Sequence, residues 1–383
     1  MILESVRIRS FRNLHAVDLE PGPGLNTLSG DNGQGKTAFL EALGFLAEGR
    51  SFRSTVPASL VTESTSALNV RGLVRSGRGG LSEIEVGFGR VGAERGRKIT
   101  HDGRRLDGLA EHLGVLRVVI HSPEDLNLIS GSPEMRRKFL NRILVLLDGA
   151  NFERLKDYGR IVRNRNHLLR CGRSRAEVEP WTEQLVRVGA ELLEARLRLV
   201  EDLAPRVDRV HRNLAGDKGA AIEISYKCAA GELGAGTTVA DAAARLRAVA
   251  DAKFGRELEM GRTLVGPQLD DLSVTMRASS AKLHASQGER RTSLIAMRLA
   301  ERELLAERTG ETPVFLVDDL SSELDRGRTA RVLEMVEELD GQVFLTGTEE
   351  RLAHRPSTRS FDVREGVITE RGAGLRVERA STA

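Results

Sequence analysis

Two hydrophobic rhythms divide the chain. Through residues 1 to about 120, apolar and polar positions alternate with the two-residue period of half-buried strands. Val6-Arg7-Ile8-Arg9, Ala67-Leu68-Asn69-Val70 and Ile84-Glu85-Val86-Gly87-Phe88 carry it. Turn residues separate them: Asp18 to Gly24 with two prolines, then glycines around Gly77 and Gly92. Lys98 to Arg105 reads as a hairpin turned at Asp102-Gly103. Leu116-Arg117-Val118-Val119-Ile120, apolar but for one arginine, reads as a buried strand. From Pro133 to about Leu214 the period becomes helical. Met135, Phe139, Ile143 and Leu147 mark one face, and Trp181, Leu185, Val188, Leu192, Ala195 and Leu199 follow heptad spacing. Leu155, Tyr158, Val162, Arg165 and Leu169 form a second seam with one basic interruption, and Cys171 to Ser174 is a plausible reversal. Two antiparallel helices of 30 to 40 residues would reach roughly 45–60 Å as a projecting arm; a compact helical domain fits seams this short as well. Residues 220–255 hold a strand candidate, Ile222–Tyr226, and an Ala-rich helix, Val239–Ala252. An α/β texture returns after Gly261, and the residues after Gly372 read as frayed.

Composition narrows this only slightly. The 383 residues suit two or three domains of an ordinary globular protein, with 40% hydrophobic and 30% charged residues. The net charge is +3, from 58 basic and 55 acidic residues. Cys171 and Cys228 are in no metal-ligand spacing, so unpaired thiols in a reducing compartment are expected. No leader-like start and no apolar run of membrane-spanning length is seen, which reads as cytoplasmic with no membrane partner.

Candidate chemistry starts at Gly30-Asp31-Asn32-Gly33-Gln34-Gly35-Lys36-Thr37, which fits the phosphate-binding loop G-x-x-x-x-G-K-[ST]. It follows the apolar stretch Leu25–Leu28 and opens a helix-like run from Ala38, the strand–loop–helix context the motif requires. Its glycines let backbone amides turn toward a polyphosphate, Lys36 would reach the terminal phosphates, and Thr37 would coordinate Mg²⁺. Pro313 to Val317 is an apolar run ending at Asp318, the place of a Walker B carboxylate on Mg²⁺. Asp319 follows, placed to orient an attacking water. Upstream, Ser286-Gln287-Gly288-Glu289 precedes a long helix and fits an ABC-type signature, S-x-G-[QE], although a plain helix cap has the same form. Ser322 to Asp325 stands at the position of a D-loop. A signature helix of this class addresses a phosphate held by another nucleotide-binding surface. ATP is therefore expected to join two copies about a two-fold axis.

In these elements and their order the chain resembles the RecF family, bacterial recombination-mediator ATPases of the ABC/SMC-like class. The resemblance is carried by Phe11-Arg12-Asn13-Leu14, the phosphate loop, Leu46 to Arg53, Ser122-Pro123-Glu124-Asp125-Leu126, Gly131 to Leu140, Thr263 to Pro267, and Asp270-Asp271-Leu272. It covers nearly all of residues 1 to 350. It implies an α/β, ABC-type ATPase head with a mixed sheet core, built from residues 1–125 and 256–383, with a helical arm inserted at 126–255. It implies slow ATP hydrolysis used as a switch, with Asp319 and Lys36 catalytic and Thr37 and Asp318 on the metal. Gly30 to Thr37 and Ser286 to Gly288 would bind ATP. The implied partners are double-stranded and gapped DNA, RecR, indirectly RecO and RecA, and a second copy of the chain. Departures from the family pattern are Ala38 for Asn, Gln268-Leu269 for His-Arg, and Glu289-Arg290 for Gln-Gln. His121 and Thr346-Gly347-Thr348 stand near places where ABC proteins often carry a Gln and a switch His.

DNA is supported independently only by basic clusters: Arg136, Arg137, Lys138 and Arg142; Arg154, Lys156, Arg160, Arg163, Arg165 and Arg170; and Arg95, Arg97, Lys98, Arg104 and Arg105 on the hairpin. Each also fits a solvated charged face. Only 4% of residues are aromatic, which disfavours a base-stacking single-strand platform. The competing readings are a motor or scaffold ATPase for another chromosomal or membrane partner and a nuclease-type effector. The second would need an acidic domain that the roughly 35 residues after Thr348 are too few to form.

Overall fold

A computed structural model describes residues 1–91, 94–216, 221–234, 236–277, 279–319, 326–348 and 359–371. In chain order its elements are β1 (Ile2–Phe11), β2 (Leu14–Leu19), β3 (Leu25–Ser29), α1 (Lys36–Glu48), β4 (Leu68–Arg75), β5 (Leu81–Val91), β6 (Glu94–His101), β7 (Arg104–Arg105) and β8 (Val118–His121). Then come α2 (Asn127–Ser130), α3 (Pro133–Leu147), α4 (Ala150–Arg170), α5 (Arg175–Ala215), β9 (Ile222–Lys227), α6 (Val239–Met260), β10 (Asp271–Met276), β11 (Ser279–Ser280) and α7 (Ala281–His284). The chain ends with α8 (Gln287–Thr309), β12 (Val314–Val317), α9 (Arg326–Glu337), β13 (Val343–Gly347), β14 (Arg359–Arg364) and β15 (Val367–Glu370). Two compact units result, one of residues 1–124 and 305–383, the other of residues 125–304. The second takes in residues 256–304, which the sequence reading grouped with the head.

The first unit holds two six-stranded sheets. One is antiparallel throughout, ordered β2-β1-β4-β5-β6-β7. Its alternating strands put Val6, Ile8, Val70, Val74, Ile84 and Val86 into one core. At its edge the Asp102-Gly103 turn has positive φ at both residues, 49° and 78°, as a tight hairpin twist demands. The other sheet is ordered β15-β14-β3-β13-β12-β8, parallel except for the β14–β15 hairpin. Strands β8, β12 and β13 are buried at every residue, and β12, flanked on both sides, accordingly reads as an unbroken apolar run. Helix α1 shares the core with both sheets: Phe39 meets Phe344 at 5.9 Å between ring centroids, and Phe45 meets Phe11 at 5.7 Å. All of α1 except Thr37 is buried, so it shows no polar face.

The second unit is mainly helical, with a three-stranded sheet ordered β11-β10-β9. Helices α4 and α5 are joined at Cys171–Ser174, as expected, but they have 21 and 41 residues rather than a matched 30 to 40. Helix α6 shares their core through Ala242, Leu246 and Ala250, so the pair is part of a wider cluster. The basic interruption at Arg165 is a buried ion pair. Its guanidinium donates to Glu257 at 2.6 Å, Thr263 Oγ1 at 3.0 Å and Thr182 Oγ1 at 3.1 Å, with both charged side chains fully enclosed. On α3 the buried stripe runs through Phe139, Leu140, Ile143 and Leu144, while Met135 is 38% exposed. Both cysteines are free thiols, and no helix among the described residues is long and apolar enough to cross a membrane.

Candidate nucleotide-binding site

Strand β3 ends at Ser29 and α1 begins at Lys36, so the loop between them is the glycine-rich stretch. Gly30 has φ 155°, and a Cβ there would lie 2.3 Å from Val363 O on β14, so only hydrogen fits. Gly35, at φ 119°, is the cap residue of α1 and provides no side chain to bind the first-turn amides. Those donors and the positive end of the helix dipole are left to a ligand.

Lys36 is buried, and its Nζ donates to Gly30 O at 2.6 Å and Asp31 O at 2.8 Å. Burial pulls its pKa below the usual lysine value, opposed by the charges of Asp319, Asp318 and Asp31. Next to it, Thr37 Oγ1 donates to the Asp318 carboxylate at 2.9 and 3.0 Å. Asp318 sits just past the end of β12, its amide bonded to His121 O at 2.9 Å. Burial pushes its pKa up, while hydrogen bonds from Thr346 and Thr37 pull it down. Thr346 ties the two acids together: its hydroxyl donates to Asp318 at 2.7 Å and accepts from the Asp319 amide at 3.0 Å. Asp319 has φ 44°, a left-handed conformation unusual for a residue with a side chain.

These groups border a cleft of about 960 Å³, lined by Asn32, Gly33, Lys36, Thr37, Asp318 and Asp319. Gln34 is turned away from it, since its side-chain oxygen accepts from the Glu365 amide at 2.5 Å and so fastens the loop to the β14–β15 turn. The cleft also contains residues to which no role was given from sequence. Arg12 is held in a bidentate pair with buried Glu41 at 2.9 and 3.0 Å, and Arg53 donates to Glu124 at 3.0 Å. Asn13 donates to Gly33 O at 3.2 Å. Arg12, Asn13 and Arg53 were visible only as letters in family strings; Thr346 had only its distance beyond Walker B to mark it.

Ser286 to Gly288 belong to the second unit, at the start of α8. Ser286 N donates to Glu289 at 2.8 Å, and Glu289 N donates to Ser286 Oγ at 3.3 Å, a reciprocal capping box. Glu289 also accepts from Arg277 at 2.7 Å, and the Ser286 amide is the chief cause of its lowered pKa. Ser286 and Gln287 are exposed. The D-loop candidate Ser322–Asp325 and the tail after Gly372 lie outside the described residues. Two of the three basic clusters are largely spent within the fold. Arg136 pairs with Asp271, Arg142 with Glu301, Lys138 with Glu134, Arg154 with Glu191 and Arg165 with Glu257.

The donor set suits Mg²⁺ carried with a nucleotide. Thr37 and Asp318 offer one hydroxyl and one carboxylate, and Mg²⁺ takes few protein ligands alongside phosphate oxygens and waters. Among the described residues no group of three or more His, Cys, Asp or Glu is arranged to hold a metal without such help.

Comparison with known proteins agrees with this geometry. The RecF/RecN/SMC N-terminal domain family matches residues 2–365. The DNA replication and repair protein RecF of Anaeromyxobacter sp. (strain K) is 37% identical over 375 residues, covering 96% of this chain and 99% of that protein. A solved structure of "the recombination mediator protein RecF-ATP in RecFOR pathway" superposes with a TM-score of 0.87 at 30% identity, over 96% of this chain and 97% of that one. The Smc head domain of Pyrococcus furiosus shares the fold, with a TM-score of 0.54 at 14% identity over 96% and 95% of the two chains.

Proposed function

The chain belongs to the RecF/RecN/SMC N-terminal domain family, among its RecF proteins, and on that premise we propose that it is an ATP-gated DNA-binding protein of recombinational repair. The observation that carries this reading is the hydrogen-bonded joint between Thr37 and Asp318 beside the buried Lys36 ammonium. It supports a site prepared for a metal-bound triphosphate.

On nucleotide entry the Lys36 ammonium exchanges the carbonyls of Gly30 and Asp31 for phosphate oxygens. The amides of the Gly30–Thr37 loop supply the remaining donors. Thr37 and Asp318 would hold Mg²⁺, which when bound would neutralise phosphate charge. Asp319 orients the attacking water and takes its proton. Ser286, Gln287 and Gly288 of a second copy close over the phosphates, so two ATP molecules join a two-fold dimer. Hydrolysis is slow and releases the pair. In this reading residues 1–125 and 256–383 act as the ATPase head and 126–255 as its inserted arm. The dimer closes on duplex DNA beside a single-strand gap in the cytoplasm, working with RecR, and through it RecO, to place RecA. The RecFOR pathway named for the ATP-bound relative supports these partners.

Sedimentation with and without ATP and duplex DNA tests the proposal. The unaltered protein should dimerise only with ATP. Lys36→Arg should remain monomeric, and Asp319→Asn should form a dimer that persists. A monomer in all three cases overturns the mechanism.

A further inference from the structure

The antiparallel sheet of the first unit shows one face to the core around α1. Along β6, neighbouring residues point to opposite faces. Ile99 is buried in that core. Arg97, on the same side of the strand, donates through its guanidinium to Gly49 O at the end of α1. Gly49 is the left-handed residue that closes this helix, at φ 64°. His112 provides a second donor: its Nε2 lies 2.7 Å from Leu46 O, which requires the ring proton on Nε2. The ring is fully buried, and burial lowers its pKa to about 4, so it is neutral near pH 7. Helix α1 has no basic residue in its own last turn. Arg97 supplies positive charge where the dipole is negative. The helix whose N-terminus forms the phosphate site is thus held at its other end by the β6–β7 edge and the segment that follows it.

Lys98 points the other way, and it is exposed. Arg105 lies on the same face, because its cross-strand partner is Thr100, two residues beyond Lys98. The two are diagonal neighbours, roughly 7–8 Å apart. Neither side chain makes a hydrogen bond or ion pair among the described residues. Across β5, Lys98 stands opposite Gly87, and Gly96 opposite Gly89; the acid diagonal to Lys98 on this face, Glu85, stands opposite Thr100 and accepts from Asn69 at 2.6 Å. This contrasts with the cations of α3 and α4, most of which are neutralised within the fold.

We propose that β6 is a DNA-responsive latch on the nucleotide-binding helix: Lys98 and Arg105 take phosphates of a duplex backbone, and Arg97 passes the resulting shift of the strand to the end of α1. The proposal rests on the reading that the chain binds ATP and duplex DNA. Duplex and nucleotide then alter each other's affinity by the same factor, expected to be on the order of fivefold or more.

The test measures affinity for a non-hydrolysable ATP analogue with and without a short blunt duplex, and duplex affinity across a salt series. The Lys98→Ala/Arg105→Ala double variant should bind duplex about tenfold more weakly and lose about two from the slope of log affinity against log salt. Arg97→Met should bind duplex as the parent does, yet lose the mutual effect of duplex and nucleotide; Arg97→Lys should recover part of it. Thermal melts identify any variant that fails to fold, in which case Arg97→Lys, with a coupling below the parent's, serves in place of Arg97→Met. Unchanged duplex affinity and slope in the double variant overturn the contact. Full coupling in Arg97→Met or, in its place, in Arg97→Lys overturns the latch. A parent that binds no duplex overturns the proposed function itself, a result distinct from the other two.

Discussion

At the start of α1 the cap position is Gly35, and no side chain reaches the first-turn amides. At the start of α8, Ser286 and Glu289 bind each other's backbone, as Ser174 with Glu177 and Thr238 with Asp241 do at α5 and α6. The first helix begins unfinished, and its loop is kept open by glycines that β14 and β2 crowd on the outside. The second begins complete. The contrast shows why the two motifs differ in legibility and in cost. An uncapped helix start is stable only where the surrounding sheets fix it, and it binds whatever anion completes it. A capped start is stable alone, and can bind an anion only by sharing donors that it already uses.

Substitutions can break that contrast, beginning with the strongest. Gly30→Ala places a methyl group against Val363 O, so β14 or the loop must move. Roughly 2–5 kcal/mol of stability should be lost in denaturant melts, and nucleotide binding with it. The other end of α1 should show up in acid. The folded pKa of His112, about 4, lies below its ordinary 6.5, so protons favour the unfolded chain. The His112 contribution is therefore complete above pH 6.5 and lost as pH falls toward 4, about 3 kcal/mol in all. Melts of His112→Gln across this range should lack that slope. At α8 effects should be smaller. Ser286→Ala should cost about 1 kcal/mol, the usual value of a helix cap, and leave the affinity of a single copy for ATP unchanged by calorimetry. Glu289→Gln should cost only a few tenths of a kcal/mol near neutrality. Because the Glu289 pKa is lowered in the fold, its stabilisation is present above about pH 4.5 and lost as pH falls through the lowered value. The Gln variant should be flat there.

Much of the nucleotide site was readable because its chemistry is local. Eight consecutive residues hold the loop, and a strand ending in two acids holds Asp318 and Asp319. The strands of the antiparallel sheet were readable too, since one solvated face leaves an alternating pattern. The unreadable parts depend on long-range pairing. Thr346 joins Asp318 across two adjacent strands, and nothing in Thr346-Gly347-Thr348 announces that bond. Arg12 needs Glu41 to fix its position, 29 residues away. Arg165 read as a flaw in an apolar seam because its partner, Glu257, lies on α6, 92 residues on. The basic run on α3 read as a surface because Asp271 and Glu301, which take up Arg136 and Arg142, are far along the chain. Charge counted in sequence overstates charge available on the surface when most cations are arginines able to reach distant acids.

Strand β3, which carries the phosphate loop, lies between β13 and β14. Its neighbours are made of residues 343–347 and 359–364, so on the ribosome β3 is synthesised first and waits for both. At 5–20 residues per second the wait for β13 is roughly 15–60 s. Throughout that time both edges of β3 lack their native partners, and the nascent chain exposes a strand that invites pairing with others. Nucleotide binding therefore reports on translation: a product stopped short of residue 343 carries all eight residues of the loop and neither of the strands that flank β3.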